Sequence, residues 1–255
     1  MKHASLVALL LLLGLPSLAH QIHCPGAYDG HLQGIAVDAQ GNIYWSFTTT
    51  LVKTDAAGTR LQETAVPAHH GDLWVQGKQV YAAVNHRAST KAFGKRDSWI
   101  YAYSIDDLAL VWKKELPEVA YGAGGLTMRD GHFFVVSGRL PKHYTVNYVY
   151  EYDADGTFIE RHVLESGHTF LGIQTIAYTD GTWWCGSYGS PPETIRAGGN
   201  LTFEERFPCD CSLGIAPRPD NGFYIARGGR NADRKHVGWV ITVDQPAPAT
   251  RETRE

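Results

Sequence analysis

Five glycine-centred turns, each between two β-rich runs, recur along the chain and restrict the folds open to it. They are Gly41 in Asp-Ala-Gln-Gly-Asn, Gly77 in Gln-Gly-Lys, Gly131 in Arg-Asp-Gly, Gly181 in Thr-Asp-Gly and Gly222 in Pro-Asp-Asn-Gly. Successive glycines lie 36, 54, 50 and 41 residues apart. In a β-rich chain this period marks repeated four-stranded units arranged around an axis. Each turn follows a run with small residues near its start: Gly34-Ile35-Ala36-Val37, Gly71-Asp72-Leu73-Trp74, Gly125-Leu126-Thr127-Met128, Gln174-Thr175-Ile176-Ala177 and Gly214-Ile215-Ala216. Small side chains suit inner strands, because these converge on a crowded axis.

A second strand follows each turn, then a third with strict alternation, clearest in Asn147–Tyr152, where Tyr148, Tyr150 and Tyr152 alternate with Val149 and Glu151. Asp-rich or Gly-rich hairpins (Asp55–Gly58, Asp153–Gly156, Gly198–Asn200) lead to a fourth, outer strand. The fifth repeat has no outer strand, since Gln-Pro-Ala-Pro after Asp244 cannot pair in a sheet. The segment His20–Cys24 is free to supply it. The fold class expected is all-β: a single five-bladed β-propeller of four-stranded blades, the N-terminal strand closing the last blade.

These residues divide the chain into a signal peptide (1–19), a propeller domain (20–244) and a disordered tail (245–255). Lys2 and His3 open a short polar start, Leu6–Leu15 is an apolar run too short to span a bilayer, and Ser17-Leu18-Ala19 fits a cleavage site. The mature protein is thus expected to be secreted or periplasmic, free of the membrane, and a monomer. Four cysteines in an exported chain suggest disulfides. A Cys209–Cys211 bridge would close a strained small loop, so the expected bridge runs from Cys185 to Cys209 or Cys211, with Cys24 taking the other. A metal on the Cys209-Asp210-Cys211 pair is the rival.

The Gly-Ile-Ala leads, the Asp-x-x-Gly hairpins and the Tyr-Val-Tyr-Glu-Tyr third strand resemble those of small secreted β-propellers of the NHL and gluconolactonase-like type, over nearly the whole mature chain. The resemblance implies an architecture and leaves activity open. Gluconolactonase-like enzymes hold a divalent metal with an inner-strand Glu and Asn residues, and no Glu occupies an inner strand here. Nor does Tyr178-Thr179-Asp180-Gly181-Thr182-Trp183 have the spacing of a sialidase box.

In a propeller, the loops leading into inner strands and those joining second to third strands share one face, at the mouth of the axis. The leading loops bring His31, Gln33, His69, His70, Asp72, Tyr121, Gln174 and Asp210 there. Second-strand ends bring Asn85, His86, Arg87, Arg139, Tyr188, Arg227 and Arg230. The second-to-third-strand loops hold Arg87, Lys91, Lys95, Arg96, Arg139, Lys142, Arg227, Arg230, Arg234 and Lys235, ten of the 23 Lys and Arg in a chain of net charge −3. A rim of one sign concentrates anions. The negative total and the lack of a nucleic-acid motif argue against nucleic acid.

Imidazoles titrate near neutrality and serve as acid or base. The expected catalytic set is His31, His70, Asp72 and His86, with Gln33, Arg87, Tyr121, Arg139, Gln174, Tyr188, Arg227 and Arg230 binding substrate. No metal or cofactor is required, a divalent ion on His31, His70 and a third ligand being the alternative. The function expected is His-assisted proton transfer on an anionic glycan or small acid, as lyase or hydrolase. The other class is a non-catalytic propeller that binds glycan or protein.

Overall fold

The computed structural model describes residues 21–86, 97–119, 121–138 and 140–247. The expected signal peptide, Arg87, Arg139 and most of the expected tail lie outside these. In chain order the strands are β1 (Gln21–His23), β2 (Gly34–Val37), β3 (Ile43–Ser46), β4 (Thr48–Thr54), β5 (Arg60–Gln76), β6 (Gln79–Asn85), β7 (Ser98–Ser104) and β8 (Leu110–Glu115). There follow β9 (Ala123–Arg129), β10 (His132–Ser137), β11 (Asn147–Tyr152), β12 (Phe158–Leu164), β13 (Phe170–Thr179), β14 (Thr182–Tyr188), β15 (Glu193–Gly198) and β16 (Phe203–Phe207). The last are β17 (Ile215–Pro217), β18 (Phe223–Arg230) and β19 (His236–Val243). Among the described residues there is no helix.

All pairings are antiparallel. Two four-stranded sheets are sequential, β9 to β12 and β13 to β16. A third has the order β1-β19-β18-β17, so the start of the described chain lies against its last strand, Gln21 opposite Ile241 and His23 opposite Trp239. The seven strands β2 to β8 form one sheet. The sequence suggested two separate strands where β5 runs unbroken. Its first half pairs with β4 and its second with β6, because Ala65–His70 contains no turn-forming pair and the chain stays extended. The third strand of the β13–β16 sheet, β15, runs the full six residues from Glu193 to Gly198.

Local chemistry explains the hairpins. Asp130 and Gly131 both have positive φ (51° and 83°), as do Asp180 and Gly181 (50° and 75°), the backbone that matches the twist of the flanking strands. Asp55 Oδ1 accepts from the N–H groups of Ala57 and Thr59, and Asp153 Oδ1 from those of Asp155 and Thr157. The side chain thereby replaces backbone partners that the turn lacks.

The inner strands β2, β5, β9, β13 and β17 pack in succession, and β17 returns to β2. A methyl group on Gly34 would collide with Asp72, and one on Gly124 with the carbonyl of Ile173. The small residues are therefore what lets these strands approach. Between the sheets lie separate apolar clusters, one around Trp45, Phe47 and Ile35, another around Phe133, Tyr150 and Leu126, a third around Trp183, Phe134 and Ile176.

The expected disulfides are absent: all four cysteines are free. Cys24, Cys185 and Cys211 are buried in three different clusters, each filling space as a small apolar side chain. Only Cys209 and Cys211 have neighbouring sulfurs, 3.9 Å apart.

Candidate functional site

A cavity of about 270 Å³ opens where the inner strands begin. Its polar wall comes from six sheet segments: His31 and Gln33 before β2, His69 on β5, Asn85 ending β6, Tyr121 before β9, Gln174 on β13 and Tyr188 ending β14. Gly71, Gly124, Gly138 and Ala123 complete it, and their lack of bulk leaves the space. Five of the twelve residues expected at the site, His31, Gln33, Tyr121, Gln174 and Tyr188, meet here from distant parts of the sequence.

At the centre is Gln33. Its Nε2 lies 2.8 Å from His31 Nε2 and 2.8 Å from His69 Nε2. A carboxamide nitrogen only donates, so both ring atoms accept and both imidazoles carry their proton on Nδ1. Burial pushes the His31 pKa down to about 4, with His69, His236 and Arg230 adding like-charge repulsion. Burial also lowers that of His69. The two rings are thus neutral bases at neutral pH. Tyr121 donates to or accepts from Tyr144 Oη at 3.1 Å, and this bond raises its pKa to about 12. Burial, with Asp210 nearby, raises that of Tyr188 to about 12. Both phenols stay protonated and can donate. Gln174 is oriented by donating to Leu171 O at 2.7 Å. Among the described residues, no carboxylate or guanidinium lines this wall.

Other expected members stand elsewhere. His70 is fully buried: Nδ1 donates to Pro67 O at 2.6 Å and Nε2 accepts from Tyr103 Oη at 2.6 Å. It faces Tyr101 and Tyr103, behind the cavity wall. Alternation along β5 puts His69 on the wall in its place. His86 is likewise pinned, donating from Nδ1 to Ala68 O at 2.6 Å and accepting from Tyr101 Oη at 2.9 Å. Asp72 is fully buried between inner strands, where Oδ2 accepts from Ile176 N–H at 3.0 Å. Burial raises its pKa well above the usual carboxylate range, and backbone N–H groups only partly oppose this. It joins β5 to β13 as a structural strut.

Arg227 turns away, donating to the carbonyl of Asp210 at 2.6 Å and to that of Ala226 at 2.9 Å. Arg230 lines a separate cavity of about 260 Å³ together with His236 and, on the shared side, His31. Sequence reasoning placed His69 and Asn85 at the mouth without assigning either a role. The signal that could have favoured His69 over His70 was strand parity relative to buried Asp72. Among the described residues, no group of three or more His, Cys, Asp and Glu converges as a metal site would require.

No protein-family model matches the sequence, and no curated protein matches it. Solved structures do. The glutaminyl cyclase of Myxococcus xanthus superposes with a TM-score of 0.60 at 13% identity, over 89% of this chain and 97% of that one. The chain is also similar to one in a nidogen/laminin complex (TM-score 0.50, 10% identity, 84% and 86% covered). A third likeness is to a gluconolactonase from Xanthomonas campestris (TM-score 0.48, 13% identity, 84% and 87% covered). At these identities the likeness is one of fold. The class that fold and neighbours define is the small β-propeller.

Proposed function

We propose that the chain is a closed five-bladed propeller enzyme, and that its axial cavity moves protons on a small, amide-bearing substrate. The closed ring of inner-strand contacts, the shared strand β5 and the pairing of β1 with β19 support the five-bladed reading. The observation that carries the function is the Gln33 carboxamide, 2.8 Å from the Nε2 atoms of two neutral imidazoles on the cavity wall.

The reaction this wall suits best is intramolecular aminolysis of an N-terminal glutaminyl residue. The α-amine attacks the side-chain carboxamide carbon, the C–N bond breaks, and ammonia leaves. The chemistry needs a neutral base to take the proton of the attacking nitrogen and return it to the departing one. His31 or His69 can do both, once a substrate N–H displaces the Gln33 amide from its Nε2. Tyr121 and Tyr188, protonated, can donate to the carbonyl oxygen as it gains charge. The near end-to-end fold likeness to a glutaminyl cyclase makes this the first activity to assay. This reading goes with an exported, monomeric chain.

A second reading keeps an anionic substrate. His31 is shared with the cavity that holds Arg230 and His236, so a carboxylate on Arg230 would bring an acidic sugar or small acid within reach of the His31 imidazole.

The test is ammonia release from glutaminyl-initiated peptides, followed beside turnover of uronate oligosaccharides. Release of ammonia, lowered about 10²-fold or more in His31→Ala or His69→Ala at unchanged thermal midpoint, is expected. Turnover of the uronates alone, falling with Arg230→Ala, would move the assignment to the second reading.

A further inference from the structure

Away from the imidazoles, the loop between β16 and β17 carries two thiols around one residue. Cys209 Sγ and Cys211 Sγ lie 3.9 Å apart. Cys209 is half-buried and open to a small reagent, whereas Cys211 is fully buried behind it. The loop is held on every side. Thr194 Oγ1 donates to Cys209 O at 2.9 Å and Thr175 Oγ1 to Cys211 O at 2.6 Å. Asp210 Oδ1 accepts from Ser212 N–H and Oγ–H at 3.0 and 2.7 Å. The Arg227 guanidinium, donating to Asp210 O at 2.6 Å, stands beside the pair as a fixed positive charge. Both cysteines sit outside the strands, so their backbone is not tied into a ladder.

We propose that Cys209 and Cys211 form a dithiol site for thiol–disulfide exchange with small exogenous disulfides, Cys209 attacking and Cys211 resolving. In the first step the Cys209 thiolate displaces one thiolate from the incoming disulfide and becomes a mixed disulfide. In the second, the Cys211 sulfur, giving up its proton, attacks Cys209 Sγ and expels the second thiolate. The protein loses two electrons and two protons, and the small disulfide is reduced to two thiols. The sulfurs need close by only about 2 Å to reach bonding distance.

The electrostatics agree with these roles. Hydrogen bonding from Cys211, then from Thr194, with the Arg227 charge, brings the Cys209 pKa down to about 6. Its partnership with Cys209 and its burial push Cys211 far up. An attacking thiol works best with a pKa near ambient pH. A disulfide across one intervening residue is strained, and strained disulfides are the labile, oxidising ones. The site makes no use of the His31–Gln33–His69 group and stands whether or not that group is catalytic.

The experiment incubates the full-length chain in glutathione buffers of graded redox poise, then traps free thiols at low pH and maps the peptides. The wild type is expected to give a Cys209–Cys211 link that returns to free thiols as the buffer turns reducing, while Cys24 and Cys185 react only after unfolding. Cys211→Ser is expected to stop at one glutathionyl group on Cys209, and Cys209→Ser to leave Cys211 unmodified. Separate adducts on both cysteines of the wild type, or no reaction at Cys209 in native protein, would overturn the proposal. Should a serine variant unfold, the alkylation rate of wild-type Cys209 against pH decides. A half-maximal rate near pH 6 is expected, and one at the ordinary thiol value overturns it.

Discussion

His69 and His70 are adjacent on one strand, yet their rings serve different parts of the molecule. His69 Nε2 meets the Gln33 amide at 2.8 Å in the axial cavity, and His70 Nε2 accepts from Tyr103 Oη at 2.6 Å in the core. Removing His70 strands a buried phenol and the Pro67 carbonyl, each costing roughly 1–3 kcal/mol. His70→Ala should therefore lower the thermal midpoint by several degrees while activity per folded molecule holds. His69→Ala should do the reverse. Midpoint and turnover measured on the same samples check this, and a stable, inactive His70→Ala protein would contradict it.

Gln33 supplies the second contrast. Gln33→Glu places a carboxylate between two imidazoles, and an opposite charge favours the protonated ring. The acid limb of kcat/KM, expected near 4 in the wild type from the His31 pKa, should then move toward neutrality. Gln33→Leu should lower the rate without that movement. The pH profiles of the three proteins are the measurement; coincident limbs would remove Gln33 from the site's proton chemistry.

Stability should depend on pH through His70. Its folded pKa is lowered to about 4, chiefly by burial, against an ordinary 6.5. Between those values the unfolded chain binds more protons, so stability falls as pH drops. The contribution is complete above 6.5 and lost toward 4, on the order of 3 kcal/mol for a shift of this size. Urea unfolding from pH 7 to pH 4 should show the slope, and His70→Phe should lessen it.

Asp72 works in the opposite sense. Its folded pKa is raised well above the usual carboxylate value by burial. Its contribution is therefore complete below the unfolded pKa and lost as pH rises through the folded one. Asp72→Asn removes the titrating proton and keeps an acceptor for Ile176 N–H. Whatever its baseline, the variant's stability relative to wild type should improve with rising pH until Asp72 is fully ionised. A difference that stays constant with pH would mean that Asp72 does not titrate in the folded range.

Much of the architecture could be read from turns and alternation, because both are local. Asp130-Gly131 and Asp180-Gly181 adopt the positive-φ backbone their chemistry favours. Gly34 and Gly124 sit where inner strands touch. The union of two sheets through β5 was not legible, since it depends on the absence of a turn between Ala65 and His70.

The sequence by itself determined the strand order, the small inner-strand residues and the gathering of His31, Gln33, Tyr121, Gln174 and Tyr188 at one mouth. Those follow from spacing and period. Only the tertiary structure decided which side chains face the cavity, because a single step along a strand reverses the side. That step gave the wall to His69, sent His70 to Tyr103, and buried Asp72 as a strut between β5 and β13. It also turned Arg227 onto the loop of Cys209 and Cys211, where its guanidinium donates to Asp210 O.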